Sequence, residues 1–176
     1  MQKWFILHGW GGNSQENWFP WLKEQQERKG DTVFVPNFPN AAFPKYEEWR
    51  AHWEKLYAPQ VDKKSVLIGH SLGGGFLLRW LSKSHTPIQR LILVAPTPDD
   101  CGIEEIKDFF TQPLNFEQIK QNTSRIEILG SDNDPYIPLE KFERLIEQLG
   151  ARFILCSGQG HLNGDTLEGI KKKTVK

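Results

Sequence analysis

The sequence is short of the features that mark several large classes of protein. It has two cysteines, Cys101 and Cys156, 55 positions apart, in no CxxC pair and at no metal-ligand spacing. A disulfide framework or a thiolate metal site is therefore not expected, and both read as free, inert thiols of a reducing compartment. There is no excess charge of either sign: 22 Lys and Arg oppose 22 Asp and Glu. A balanced chain has no global electrostatic reason to bind nucleic acid or an anionic membrane. No apolar run reaches ~18 residues, so no membrane-spanning helix is expected. No charged leader precedes an apolar stretch near Met1, which argues against a signal peptide. Internal repeats and low-complexity tracts are also missing.

What remains is the composition of a soluble globular protein: 176 residues, 38% hydrophobic and 25% charged. That length predicts one domain over residues 1–176, able to bury roughly 70% of its unfolded surface without covalent staples. The expected location is cytoplasmic.

Six short apolar runs punctuate the chain: Trp4 to His8, Thr32 to Val35, Ser65 to Ile68, Arg90 to Ala95, Ile126 to Leu129 and Arg152 to Cys156. Each is followed within a residue or two by Gly or Pro, the pattern of buried strands. Amphipathic stretches lie between them. Trp18 to Arg28 places Trp18, Trp21, Leu22 and Gln25 at helical spacing. Tyr46 to Leu56, Leu72 to Ser82 and Leu139 to Leu149 carry similar stripes, and a last short helix is expected over about Thr166 to Lys173. Strict strand–helix alternation implies an α/β fold: about six mostly parallel strands with helices on both faces. In such folds reactive groups gather at the carboxyl ends of the strands.

Four of those ends carry candidate chemistry. Gly69-His70-Ser71-Leu72-Gly73 follows the third run and precedes a helix, the setting a nucleophile elbow requires. A serine on so sharp a turn stands clear of the sheet, with a helix N-terminus behind it that favours developing negative charge. Asp132 and Asp134 follow the fifth run. Either could orient a histidine through a short hydrogen bond, and either could be an ordinary turn residue. His161 sits in a Gly-rich loop after the sixth run, where it can lean towards Ser71 as a general base. His8 and His70 precede the reactive turns and read as hydrogen-bonded packing groups. His8-Gly9-Trp10-Gly11-Gly12 follows the first run. Trp10 or Gly11 could supply one backbone N–H to an oxyanion and Leu72 the other. Trp10, Gly11 and Phe38 are expected to line a substrate pocket, whereas most of the other tryptophans read as helix–sheet packing. A phosphate-binding loop fails on spacing, since no Lys-Ser/Thr follows these glycines.

HGWGG, GHSLGG, DPYIP and Gly160-His161, in that order, resemble the α/β-hydrolase superfamily. The stretches Asn17-Trp18-Phe19-Pro20-Trp21-Leu22 and Pro36-Asn37-Phe38-Pro39-Asn40 are similar to its small serine hydrolases, the YdeN-like and retinoblastoma-binding-protein-like group. The resemblance runs from Lys3 to about Gly169. It implies Ser71 as nucleophile, His161 as base and Asp134, rather than Asp132, as the acid, because Asp134 precedes a short stretch ending in Ile137-Pro138. It also favours Trp10 as the loop's oxyanion donor. No residues before Lys3 could form the hairpin that opens larger members. Thr97 to Ser124 is too short for more than a minimal lid; its apolar positions Ile103, Ile106, Phe109 and Phe110 read as the crossover helix.

The resemblance implies a serine hydrolase acting on a small carboxylic ester, thioester or amide. No metal or organic cofactor is expected, and the expected partner is a small acyl substrate, with no nucleic acid and no membrane. The contrasting possibility is a non-catalytic protein-interaction module on the same fold. The oligomeric state is not readable from the residues.

Overall fold

The computed structural model describes residues 1–171. Six strands, β1 (Lys3–Leu7), β2 (Thr32–Phe34), β3 (Ser65–His70), β4 (Arg90–Val94), β5 (Ile126–Gly130) and β6 (Arg152–Leu155), form one sheet in the order β2-β1-β3-β4-β5-β6. Every pairing is parallel. Five helices connect them: α1 (Phe19–Glu27), α2 (Tyr46–Leu56), α3 (Leu72–Leu81), α4 (Phe116–Asn122) and α5 (Leu139–Leu149). The path steps outward from β1 to β2 and then runs the other way to β6. Right-handed crossovers therefore place α1 on one face and α2 to α5 on the other.

The core follows from the strand pattern. All six residues of β3 are buried, as are four of five in β1 and β4. All ten residues of α3 are buried too, which leaves this helix no solvated face. Phe5, Leu67, Phe76 and Phe142 are fully buried, each contributing about 1.5–3 kcal/mol of transfer free energy. Trp18, Trp49 and Trp53 are fully enclosed and Trp4 and Trp80 nearly so, the packing role expected of most tryptophans.

Three expectations need correction. First, α1 buries Phe19, Leu22 and Gln26; of the expected stripe, Trp18 and Leu22 are buried, but Trp21 and Gln25 are only partly so. Trp18 is the cap, outside the helical period, with Pro20 fixing the first turn, so the helix phase is turned by one residue. Second, the crossover from β4 to β5 is made by α4, capped by Asn115 accepting from the Gln118 N–H. The apolar stretch expected to supply that helix is instead a 3-10 turn, Glu104–Phe110. Third, the last helix begins at Glu168 rather than about Thr166 and is a 3-10 turn as far as Lys171; the expected positions after it, with the basic residues Lys172, Lys173 and Lys176, lie outside the described residues. Among the described residues no helix is long and apolar enough to cross a membrane.

Candidate active site

Ser71 lies between the end of β3 and the start of α3 with φ 52 and ψ −121, a conformation that costs a non-glycine residue about 1–3 kcal/mol. The surroundings hold it there. The Ser71 N–H donates to the Val94 carbonyl (2.9 Å), and the Ser71 carbonyl accepts from the N–H groups of Gly74, Gly75 and Thr97. Two glycines make the turn sterically possible. A methyl group on Gly69 would stand 2.5 Å from the Gly74 nitrogen, and one on Gly73 would stand 2.5 Å from the His8 carbonyl oxygen. The strand before the serine, the helix after it and the end of β1 are thus packed backbone to backbone.

The loop after β1 runs beside that turn: a methyl on Gly9 would meet Ser71 Cβ at 3.0 Å. Its shape is fixed by His8. The Phe38 N–H donates to His8 Nε2 (2.9 Å), so the ring proton sits on Nδ1, which donates to the Gly9 carbonyl (2.8 Å). Burial lowers the pKa of His8, in keeping with a neutral ring. The Gly11 N–H is committed to the Ala41 carbonyl (2.7 Å) and the Gly12 N–H to Gly9. Among the described residues, neither the Trp10 N–H nor the Leu72 N–H is given to a backbone acceptor across loops and turns.

At the far edge of the sheet, four consecutive residues after β5 grip the loop after β6. The Ser131 hydroxyl accepts from the Gln159 N–H, and Asn133 Oδ1 accepts from the Gly160 N–H (2.7 Å). Asp132 takes the Ser157 hydroxyl (2.6 Å) and the Gly158 N–H (2.8 Å), bonds that hold its carboxyl below the usual aspartate range. Asp134 Oδ2 accepts from His161 Nδ1 at 2.8 Å, while its Oδ1 accepts the N–H groups of Tyr136 and Ile137. The Asp134 side chain is wholly buried and that of His161 is 9% exposed. The two aspartates that spacing alone left open therefore have different partners: Asp134 meets the imidazole and Asp132 meets the loop that carries it.

A second clamp acts on the same loop from beneath. His70 Nε2 donates to the His161 carbonyl (2.9 Å), and Trp18 Nε1 donates to the Leu162 carbonyl (3.1 Å). Burial, with the His161 ring beside it, drives the His70 pKa down to about 4. His70 is therefore a neutral packing group with a directional hydrogen bond.

Ser71 and His161 open onto one pocket of about 320 Å³. They are not hydrogen-bonded to each other here; such contacts often tighten only around a substrate. Leu72, Cys101, Ile103 and Ile106 give the pocket apolar lining, and Trp10, Gly11, Glu16 and Asn17 border it from the first loop. The wall after β4 is anchored: Arg79 Nε of α3 donates to the Phe109 carbonyl, and Asp108 accepts the Tyr46 N–H of α2. The Cys101 thiol is pushed up to about 11 by burial, which suits an inert wall group.

Phe38 is a correction. It does not line the pocket but is buried and stacked on Trp49, ring centroids 4.3 Å apart. Its backbone N–H is tied to His8, which turns the ring inward. Sequence reasoning missed Glu16, Asn17, Thr97, Tyr136 and Asn163 as pocket residues. Only their nearness to strand ends could have signalled them. Among the described residues no group of three or more His, Cys, Asp or Glu is arranged to hold a metal ion.

Comparison with known proteins narrows the chemistry. The sequence model of a family described as serine hydrolase matches residues 4–170. The chain is 27% identical over 166 residues to YdeN, a hydrolase of Bacillus subtilis (strain 168), covering 92% of this chain and 86% of that one. It is 27% identical over 157 residues to serine hydrolase RBBP9 of Rattus norvegicus, covering 88% and 82%. The crystal structure of the ydeN gene product from B. subtilis matches with a TM-score of 0.90 at 23% identity, over 97% of this chain and 95% of that one. Est1E from Butyrivibrio proteoclasticus, with ferulic acid bound, shares the fold at a TM-score of 0.75 and 16% identity, over 98% and 86%.

Proposed function

The chain belongs to the serine hydrolase family, in the YdeN- and RBBP9-like group of α/β-hydrolases, and from that premise we propose that it cleaves a small carboxylic ester, thioester or amide through an acyl-enzyme on Ser71. His161 is the general base and Asp134 the acid that orients it. The observation that carries this reading is the buried 2.8 Å bond from His161 Nδ1 to Asp134 in a pocket that also exposes the strained Ser71 turn.

The steps follow from the geometry. Asp134 fixes the ring proton on Nδ1 and leaves the Nε2 lone pair towards the pocket. Nε2 takes the Ser71 hydroxyl proton as the oxygen attacks the substrate carbonyl, and Asp134 stabilises the imidazolium that results. The tetrahedral oxygen is received by the N–H groups of Leu72 and Trp10, with Leu72 at the positive end of α3. His161 then protonates the leaving group, and the same base activates the water that releases the acid.

Intact-mass spectrometry after treatment with a fluorophosphonate probe tests this, run beside Ser71→Ala. One adduct on the wild-type protein, absent from the variant, is expected. No adduct on the folded wild-type protein would overturn the assignment of an activated Ser71.

A further inference from the structure

The charge lining the pocket is one-sided. Among the described residues, Glu16 is the only carboxylate that lines it, and no lysine or arginine does. At the wall, Lys141 Nζ reaches the sulfur of Cys101 at 3.7 Å but is committed to Asp99 at 2.5 Å. Glu16 itself makes no ion pair among the described residues; its side-chain partner is Asn13 Nδ2, at a long 3.5 Å. Asn17 has φ 52. That turn lets Glu16 and Asn17 border the pocket while Trp18 enters the core. A half-buried carboxylate without a cation is costly, and burial raises its pKa, with the Asn13 backbone N–H hydrogen-bonding the carboxylate and working against that rise.

The neighbouring aromatic groups point to the missing partner. Trp10 lines the same pocket and is 42% exposed, its ring fixed by Nε1 donating to the Ala42 carbonyl (2.8 Å). Tyr136, 58% exposed, also borders the pocket, its ring edge-on to His161. An exposed indole face attracts a positive charge through its quadrupole, and an ammonium group is the ligand that a carboxylate and an indole both favour. A substrate bearing a carboxylate or phosphate would meet Glu16 with repulsion and find no fixed cation among the described residues that line the pocket.

We propose that Glu16, with the Trp10 ring, selects substrates that carry an ammonium group beside the scissile bond. The inference rests on the acyl-transfer reading of Ser71. The apolar remainder of the substrate then faces Leu72, Ile103 and Ile106.

The test compares each ammonium-bearing ester with its neutral carbon isostere, for instance a choline ester against the 3,3-dimethylbutyl ester of the same acid. A second pair carries the ammonium on the acyl side. The ratio of kcat/KM within a pair is read, so the neutral ester is the internal reference for each protein. For at least one pair, a wild-type ratio of about five or more at low ionic strength is expected, falling towards one in about 0.5 M salt. In Glu16→Gln the same ratio should fall about fivefold. A wild-type ratio near one in both pairs, with neutral esters hydrolysed and Ser71 labelled by the fluorophosphonate, overturns the role of Glu16 and leaves the acyl-transfer reading standing. A high ratio unchanged in Glu16→Gln also overturns it. No hydrolysis and no labelling overturn both. Should Glu16→Gln not fold, the wild-type salt series decides, since a preference made without a charge on the protein does not fade with salt.

Discussion

Replacing Asp134 with asparagine exchanges one oxygen for an NH2 group, and the structure dictates which way the amide must face. Asp134 Oδ1 accepts two backbone N–H groups, from Tyr136 at 2.9 Å and Ile137 at 3.1 Å. An NH2 cannot accept either, so the amide oxygen keeps that place. The NH2 is then directed at His161 Nδ1, where Oδ2 stood at 2.8 Å. A donor there forces the ring to present a lone pair at Nδ1 and moves its proton to Nε2, facing the pocket. The base has lost the lone pair that should receive the Ser71 proton. The expected loss in kcat/KM is about 10³–10⁴-fold, or about 4–5.5 kcal/mol of barrier. Asp132→Asn is the matched control. Its amide oxygen can keep the Gly158 N–H, and its NH2 can donate to the Ser157 hydroxyl, so a change within about fivefold is expected. Hydrolysis of a neutral aryl ester and the rate of fluorophosphonate labelling would be measured on both variants, with thermal unfolding to confirm that each is folded. Activity of Asp134→Asn within tenfold of wild type, or a greater loss in Asp132→Asn, would refute the reasoning.

Two further outcomes follow from the packing. His70 has a folded pKa of about 4 against about 6.5 in an unfolded chain. The unfolded state therefore takes up the proton first. Stability is fully present above about 6.5 and falls as the pH drops towards 4, by up to about 3 kcal/mol. Urea midpoints of wild type and His70→Gln at pH 7 and 4.5 isolate this contribution, because His8 and His52, also lowered by burial, remain in both proteins; equal pH dependence would rule it out. Gly73→Ala puts a methyl group 2.5 Å and 2.6 Å from the carbonyl oxygens of His8 and Leu7. A loss above about 3 kcal/mol is expected, together with lost labelling of Ser71. A variant with wild-type melting and labelling would show that the end of β1 can move away.

The strands were legible because glycine or proline punctuates each apolar run, and all six lie within two residues of their expected limits at either end. Two helices, α2 and α5, match their expected spans, since their apolar stripes are long and begin at the first helical residue. The phase of α1 was not legible, because Trp18 looks periodic but belongs to the cap. The segment 104–110 has helical spacing, yet Arg79 and Asp108 tie it to α3 and α2 as a tighter turn, a tertiary effect that local periodicity cannot carry. At the site, Ser71 and His161 could be singled out because each follows a strand, whereas strand position left Asp132 and Asp134 equal and only the family resemblance pointed to Asp134. The inward ring of Phe38 depends on a backbone bond to His8, 30 positions away, and Glu16 depends on the turn at Asn17. Neither leaves a motif.

The order of the strands sets a schedule for synthesis. Ser71 follows central β3, Asp134 follows β5, and His161 follows β6, the last strand among the described residues and an edge of the sheet. A chain leaving the ribosome presents Ser71 first and Asp134 some sixty residues later, but has no imidazole for them until residue 161 emerges. Domains assemble broadly from the N-terminus as they are made. A partly made copy can therefore hold a formed serine turn while lacking His161, and the proposed site comes into being only when β6 is laid against β5.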